Sequence, residues 1–376
     1  MRLYVFSLLL YTGKMSCFCL IKVIVNTMST KRYLFYISQN YSYAILRPLQ
    51  ETILARGDQV GWFLEGKEVS SDYLLESELQ LFSIEEINVF NPIAVFYPAN
   101  IAPTFLPGIN VAVFHGFDAG KVDKRGNNDH FKIRNCFELY CTQGPSTTGP
   151  FLALEKQHRH FKVIETGWCA LDDLHKSDVK KEPSKKTILL CSTFSKKLSC
   201  APHLFETVKK LSETGRWNWL VQFHPKMPSD IVKKYQGLES EYLSFVATDD
   251  VLPLLQQADV MVCDTSSVLL MFLLLKKPVV TFNNIAPKDY LLDINNVDLL
   301  ESTIEKALDE PVELMEKIKG FIADTHPYDD GGSSLRVLNA VDDVLSGQFN
   351  LQKKPLDILR RFKMRKKLNY WRINRK

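Results

Sequence analysis

The sequence of 376 residues lacks the short fingerprints that mark most nucleotide-binding and hydrolytic enzymes: it has no GxGxxG after a strand pattern, no P-loop, no HExxH and no GxSxG. Those absences argue against dinucleotide oxidoreductases, P-loop ATPases and the common hydrolases. The eight cysteines, at positions 17, 19, 136, 141, 169, 191, 200 and 263, form no CxxC and no metal-like pairing with the histidines. They read as reduced, structural thiols suited to the cytoplasm. No cofactor and no dedicated metal site are expected, although a divalent ion can accompany a nucleotide diphosphate without one. No continuous run of about 20 apolar residues is present to form a transmembrane helix. The apolar opening of the chain also lacks a clean signal-peptide cleavage site. Internal repeats and low-complexity tracts are missing as well.

What is present is the composition of a globular protein, 45% hydrophobic and 24% charged, with length for two ordinary domains. Short apolar runs at 33–37, 59–64, 93–97, 110–114, 139–142 and 163–165 are parted by helical stretches, one of them at 42–55. That alternation predicts a parallel sheet covered on both faces. A polar, charged segment at 175–186 then reads as an interdomain linker. Beyond it, strands at 187–191, 217–223, 260–263 and 279–282 alternate with helices at 202–213, 229–235, 251–257 and 268–275, and further helices are expected at 298–309, 312–323 and 334–345. Two doubly wound units are expected, 31–175 and 187–346, with a basic tail at 347–376. Met28 stands just before the first strand and reads as the natural start. Residues 1–30 are then a non-native start or a short apolar leader, a membrane anchor being the alternative.

The most informative segment is ADVMVCDTSSVLLMFLLLKKPVVTF, from Ala258 to Phe282. It reads as strand, tight turn, helix, turn and strand. Asp264, Thr265, Ser266 and Ser267 end the first strand where a helix begins, which sets hydroxyls at the positive end of a helix and favours a phosphate. Helix capping is the alternative role for the serines.

Other polar clusters end predicted strands. After 110–114 come His115, Gly116 and, further on, Lys121. A glycine lets a ligand approach the backbone, and a histidine can take a proton from an attacking hydroxyl. After 217–223 come His224, Pro225 and Lys226, suited to neutralising a diphosphate leaving group. The stretch 144–149 reads as a capped loop with a possible phosphate contact, and the turn-rich 325–334 as a segment able to close over a nucleotide.

The last 24 residues carry eleven Lys or Arg and one Asp, about +10, against a net charge of +4 for the whole chain. Leu356, Ile358, Leu359, Phe362, Leu368, Tyr370 and Trp371 interleave with these bases. The pattern suits an anionic membrane surface better than nucleic acid, the alternative being a tail that packs on its own protein.

The order HG…K, FHPK and DTSS…LLLKKPVV resembles the CDP-glycerol glycerophosphotransferase family, the teichoic-acid glycerol- and ribitol-phosphate transferases. The resemblance spans roughly residues 111–283. It implies a GT-B architecture, two Rossmann-like parallel-sheet domains facing a cleft, with the nucleotide held mainly by the second. By position, His115 looks like the base that activates the acceptor hydroxyl, His224 like the second functional histidine, and Ser266 and Ser267 like the serine pair that binds the diphosphate. Gly116, Lys121, Lys226, Asp264 and Thr265 complete the expected donor site. Two positions depart from the family: Gly120 stands where its lysine falls, with Lys121 next, and Met271 stands where an acidic residue is usual. The reaction implied moves a polyol phosphate from a CDP-linked donor to a glycan or lipid-linked acceptor, on the inner face of a bacterial cell membrane. A GT-B glycosyltransferase, a nucleotide-sugar epimerase and a non-catalytic scaffold are the competing readings, and nucleic acid is not an expected partner.

Overall fold

In the computed structural model the described residues are 30–117, 128–176, 185–224, 226–248 and 251–372. The expected leader and most of the expected linker lie outside them. The first sheet has seven parallel strands: β1 (Arg32–Ile37), β2 (Gln59–Leu64), β3 (Leu79–Leu81), β4 (Ala94–Tyr97), β5 (Ile109–Ala112), β6 (Leu139–Thr142) and β7 (Lys162–Glu165), in spatial order β3-β2-β1-β4-β5-β6-β7. The second has six: β8 (Thr187–Ser192), β9 (Asn218–Phe223), β10 (Leu243–Phe245), β11 (Val260–Cys263), β12 (Val279–Phe282) and β13 (Leu292–Ile294), in order β10-β9-β8-β11-β12-β13. Each order reverses next to its first strand, the doubly wound arrangement whose crevice at the carboxyl edge binds ligands. Central strands such as β8 are buried at every residue, because helices cover both faces of a parallel sheet. The architecture is GT-B, two Rossmann-like domains, as the resemblance implied.

Three strands were not expected from the sequence, β3, β10 and β13, and each is a three-residue strand at the edge of a sheet. Their half-wetted residues carry no continuous apolar run to find. The stretch 144–149 also differs from the expected loop. It opens a helix, Pro145–His158, with proline in the first turn where its missing N–H costs nothing.

The chain does not keep the second unit to itself. Helix Val312–Thr325 covers the second sheet through Leu314 and Ile318. The next helix, Ser333–Leu345, crosses back and buries Val337, Leu338, Ala340 and Val341 among Ile45, Leu46, Leu49 and Ile53 of helix Ser42–Ala55. The expected 187–346 unit therefore runs through two cores: amphipathic spacing shows that a helix has an apolar face, not which sheet receives it.

The crossing is fastened at its start. The buried carboxylate of Asp172, on the first domain, accepts from the backbone N–H groups of Ser333 and Ser334 at 2.9 and 2.7 Å. It caps, from outside, a helix whose own leading residue Gly332 supplies no side chain. Such charge-assisted bonds to the positive helix end are strong. Asp342 ties the same helix to Lys31 and Arg56 at 2.6 and 2.9 Å. The six described cysteines are free and buried, and burial pushes the Cys191 thiol up to about 12. Replacing Asp172 by Ala strands two buried N–H groups and should lower unfolding free energy by about 2–4 kcal/mol, read as a shift in the urea midpoint. An unchanged midpoint would show that the cap contributes nothing.

Candidate functional site

The carboxyl ends of the strands in both sheets carry the polar residues singled out by sequence. In the second sheet the crevice opens between β8 and β11, where the strand order reverses. Asp264, fully buried just after β11, closes that point. Its carboxylate accepts from Ser192 Oγ at 2.7 Å, and from the backbone N–H groups of Thr193 and Cys200 at 3.0 Å each. The carboxylate is spent on the protein's own loops, so Asp264 shapes the turn and holds residues 193–200 beside it. Thr265 is similarly engaged, its Oγ1 accepting from the Ile285 N–H at 3.1 Å.

The next two residues differ. Ser266 is half-buried and Ser267 exposed, and helix Val268–Leu274 begins with no side-chain cap. Neither hydroxyl has a hydrogen-bond partner among the described residues. The capping role that competed with phosphate binding is not the one they play here. Met271, four residues after Ser267, packs against the cores of both domains, together with Leu275. The position is part of the apolar seam between the sheets, which accounts for the absence of an acid there.

His224, exposed after β9, accepts at Nδ1 from the Lys226 backbone N–H at 3.0 Å. That partner leaves the ring proton on Nε2, so the neutral imidazole presents a donor. Lys226 is itself exposed nearby. Phe194, from the loop that Asp264 holds, stands against the His224 ring at 4.5 Å between centroids and is 42% exposed. Sequence reasoning missed it. The available signal was its place two residues past the end of a buried strand.

His115 has the opposite tautomer. Its Nδ1 lies 3.0 Å from the carbonyl oxygen of Pro98, the residue that follows β4. A carbonyl can only accept, so Nδ1 carries the proton and Nε2 keeps a lone pair, the arrangement a general base needs. Local backbone aims the ring. Phe114, immediately before, sits at φ +60°, a left-handed conformation that is uncommon for an aromatic residue. Its carbonyl accepts from the Trp168 indole at 3.3 Å. Gly116 has open space where a Cβ would stand, and its carbonyl accepts from Gln143 Nε2 at 2.9 Å. Tyr41 flanks the His115 ring, with centroids 6.0 Å apart. Lys121 lies outside the described residues.

Between the sheets lies a cavity of about 570 Å³, bounded by Phe117 and Ser146 on one side and by Leu270, Lys288, Lys317 and Phe321 on the other. The turn-rich stretch 325–334 does not stand over it as a cover. Its His326 is buried and accepts at Nε2 from the Trp168 N–H at 2.9 Å. Tyr328 donates to Glu165 at 2.9 Å, and the Arg336 guanidinium holds the Asp330 carboxyl down at about 2. At Gly144 an added Cβ would come within 2.3 Å of the Thr325 carbonyl oxygen. The stretch is a seam joining the two domains. Among the described residues, no group of three or more His, Cys, Asp or Glu is placed to hold a metal ion.

Known proteins share this fold. Residues 206–290, under a quarter of the chain but including His224 and the 264–267 turn, match the family model described as CDP-Glycerol:Poly(glycerophosphate) glycerophosphotransferase. No curated protein matches the sequence. Among solved structures, a putative UDP-N-acetylglucosamine 2-epimerase from Listeria monocytogenes is similar at TM-score 0.62 and 13% identity, over 88% of this chain and 100% of that one. The wall teichoic acid polymerase TagF is similar at TM-score 0.61 and 14% identity, over 85% of this chain and 90% of that one. MnaA of S. aureus, solved with UDP, is similar at TM-score 0.57 and 14% identity, over 88% and 100%. At such identities the structures establish the fold, a GT-B architecture, and the family match, confined to residues 206–290, supports a transferase with a segment similar to that of the CDP-glycerol glycerophosphotransferases.

Proposed function

We propose that this enzyme transfers glycerol phosphate, or a similar polyol phosphate, from a CDP-linked donor to a hydroxyl of a glycan or lipid-linked acceptor in cell-wall polymer synthesis. The observation that carries the reading is the serine pair. It lies inside the segment that matches the glycerophosphotransferase family, and its two hydroxyls are unspent while Asp264 and Thr265 beside it are engaged. TagF, which shares the architecture, is named for wall teichoic acid polymerisation, and a variant of it was solved after soaking with CDPG.

The chemistry follows from the two tautomers. His115 Nε2 takes the proton of the acceptor hydroxyl as its oxygen attacks the phosphorus that bears the polyol. The bond from that phosphorus to the CMP oxygen breaks, and CMP leaves with the pair. The His224 Nε2–H, the Lys226 ammonium and the Ser266 and Ser267 hydroxyls face the growing negative charge, which suits a loose phosphoryl-transfer transition state stabilised by positioning and electrostatics. Under this reading Asp264 positions the donor site without touching the donor. The enzyme would work at the cytoplasmic face of the membrane, beside its acceptor. Among the described residues no helix is long and apolar enough to cross a membrane.

A second reading, nucleotide-sugar epimerisation, draws on the likeness to the UDP-N-acetylglucosamine 2-epimerases. Donor labelled at the phosphate next to glycerol separates the two. Label appearing in an acceptor-dependent product, with release of CMP, supports transfer; turnover without acceptor, or preference for UDP-sugars, removes it. The glycosyltransferase reading fails on the same retained phosphate.

Three mutational outcomes are expected. His115→Ala should lower kcat by about 10²–10⁴-fold, with donor affinity, read by calorimetry, nearly unchanged. A fully active variant would exclude His115 as the base. The Ser266→Ala/Ser267→Ala double variant should weaken CDP-glycerol binding by about tenfold or more, roughly one lost hydrogen bond to a charged group, at unchanged thermal stability. Asp264→Ala should do the reverse first. It strands the Thr193 and Cys200 N–H groups and should cost about 2–4 kcal/mol of stability, so a stable Asp264→Ala protein with selectively lost donor binding would make Asp264 a ligand after all.

A further inference from the structure

The basic tail does not hang free. After residues 347–357 it forms the helix Ile358–Lys367, whose Met364 is buried, and the chain then inserts Tyr370 into the core of the first domain. Tyr370 stacks on Phe105 at 5.7 Å, and its hydroxyl accepts from Asn88 at 3.2 Å. Lys367 pairs with Glu65 at 2.6 Å and Lys354 with Glu138 at 2.5 Å. The Arg365 guanidinium lies over the Phe105 ring at 4.6 Å. One side of the tail is thus a strap fixed to the first domain, its end tied to Glu65 at the carboxyl end of β2. That is the edge of the sheet from which His115 also projects.

The other side is dressed for something else. Leu356, Ile358, Leu359, Phe362 and Trp371 are 66, 67, 75, 54 and 51% exposed, and the Phe362 and Trp371 rings meet edge to face at 5.3 Å. Ile358, Leu359 and Phe362 stand at helical spacing on one stripe. Lys353, Lys363 and Lys366 are exposed around them, and Arg361 has no carboxylate partner among the described residues. Beneath the stripe, Arg134, Lys354, Arg360, Arg361 and a single acid, Asp357, bound a shallow cavity of about 140 Å³. Large apolar side chains held in water cost free energy unless something covers them. The surrounding positive charge selects what does: an aromatic and aliphatic row rimmed by lysine and arginine matches the boundary between the acyl chains and the anionic headgroups of a bilayer.

We infer that the outer face of this strap docks on an anionic lipid surface, with Ile358, Leu359, Phe362 and Trp371 entering the headgroup boundary and Arg361 and its neighbours meeting lipid phosphates. Because the strap is fixed to the domain that carries His115, docking would hold that domain against the surface. The inference stands on the tail alone and survives or fails separately from the reaction proposed above.

The test is co-sedimentation of the full chain with vesicles of phosphatidylcholine alone and of phosphatidylcholine mixed with phosphatidylglycerol in equal parts, with Trp fluorescence as a second readout. The wild type should sediment with the anionic vesicles only, with a blue shift of emission and weakening in salt. The Ile358→Ser/Leu359→Ser/Phe362→Ser variant, whose altered side chains leave the buried Met364 and Tyr370 untouched, should bind at least tenfold more weakly at unchanged Tm. An Arg361→Glu/Lys363→Glu variant, likewise still folded, should lose the preference for the anionic vesicles. Equal binding by wild type and the serine variant would overturn the inference, assigning any membrane affinity elsewhere in the chain. So would equal binding to both vesicle types. Stabilisation by inorganic phosphate without vesicle binding would make the cavity a site for a soluble anion instead, and binding of an oligonucleotide in place of vesicles would likewise refute it.

Discussion

The buried carboxylate of Asp172, holding the first N–H groups of helix Ser333–Leu345, is the contact on which the rest of the site depends. The second sheet ends well before that helix, and the return of the chain couples the two domains alongside the apolar seam at Met271 and Leu275. Asp172 gives the return a fixed landing point, where a full negative charge meets the positive end of a helix in a dry setting that strengthens both the attraction and the penalty for losing it. The same crossing brings His326 to the Trp168 N–H, and the Trp168 indole in turn holds the Phe114 carbonyl. Phe114 is the residue whose left-handed backbone turns His115 outward. The orientation of the candidate base is thus linked, bond by bond, to the element that joins the domains.

The turn after β11 divides its labour sharply. Four consecutive polar residues look alike in sequence, yet Asp264 is buried with three protein donors while the serines two and three positions later spend their hydroxyls on nothing described. A buried carboxylate must be satisfied by its own protein, because an unpaired one is prohibitively expensive. A surface hydroxyl is solvated at little cost and stays available to a ligand. Burial, not residue type, separates the scaffold from the contact.

Most of the fold was legible. Strands such as β2, β6, β11 and β12 and helix Ser42–Ala55 appear where apolar runs and periodicity put them, because an interior parallel strand has to be apolar on both faces. The edge strands β3 and β10 and the rim strand β13 were not legible, being three residues long and half wetted. Helix Pro145–His158 was hidden by two prolines and two glycines in its neighbourhood, and its start packs closely against the backbone at Thr325. The candidate site was legible as residue types at strand ends. Phe194 was not, since only the fold sets it against His224.

What the sequence by itself determined is local: the alternation of strands and helices that makes two doubly wound sheets, the placing of histidines and serines at their carboxyl edges, and the concentration of charge in the tail. These follow from periodicity and chain adjacency, which a sequence carries directly. What only the tertiary structure decided is which partner each group meets. Pro98 fixes the proton of His115 on Nδ1 and the Lys226 N–H leaves that of His224 on Nε2, so two identical side chains become an acceptor and a donor. Met271 is apolar because it lies in the seam between domains, helix Ser333–Leu345 belongs to the first core, and the tail is a strap with one face buried and one bare. Each depends on contacts between residues far apart along the chain, and such contacts leave no mark in local pattern.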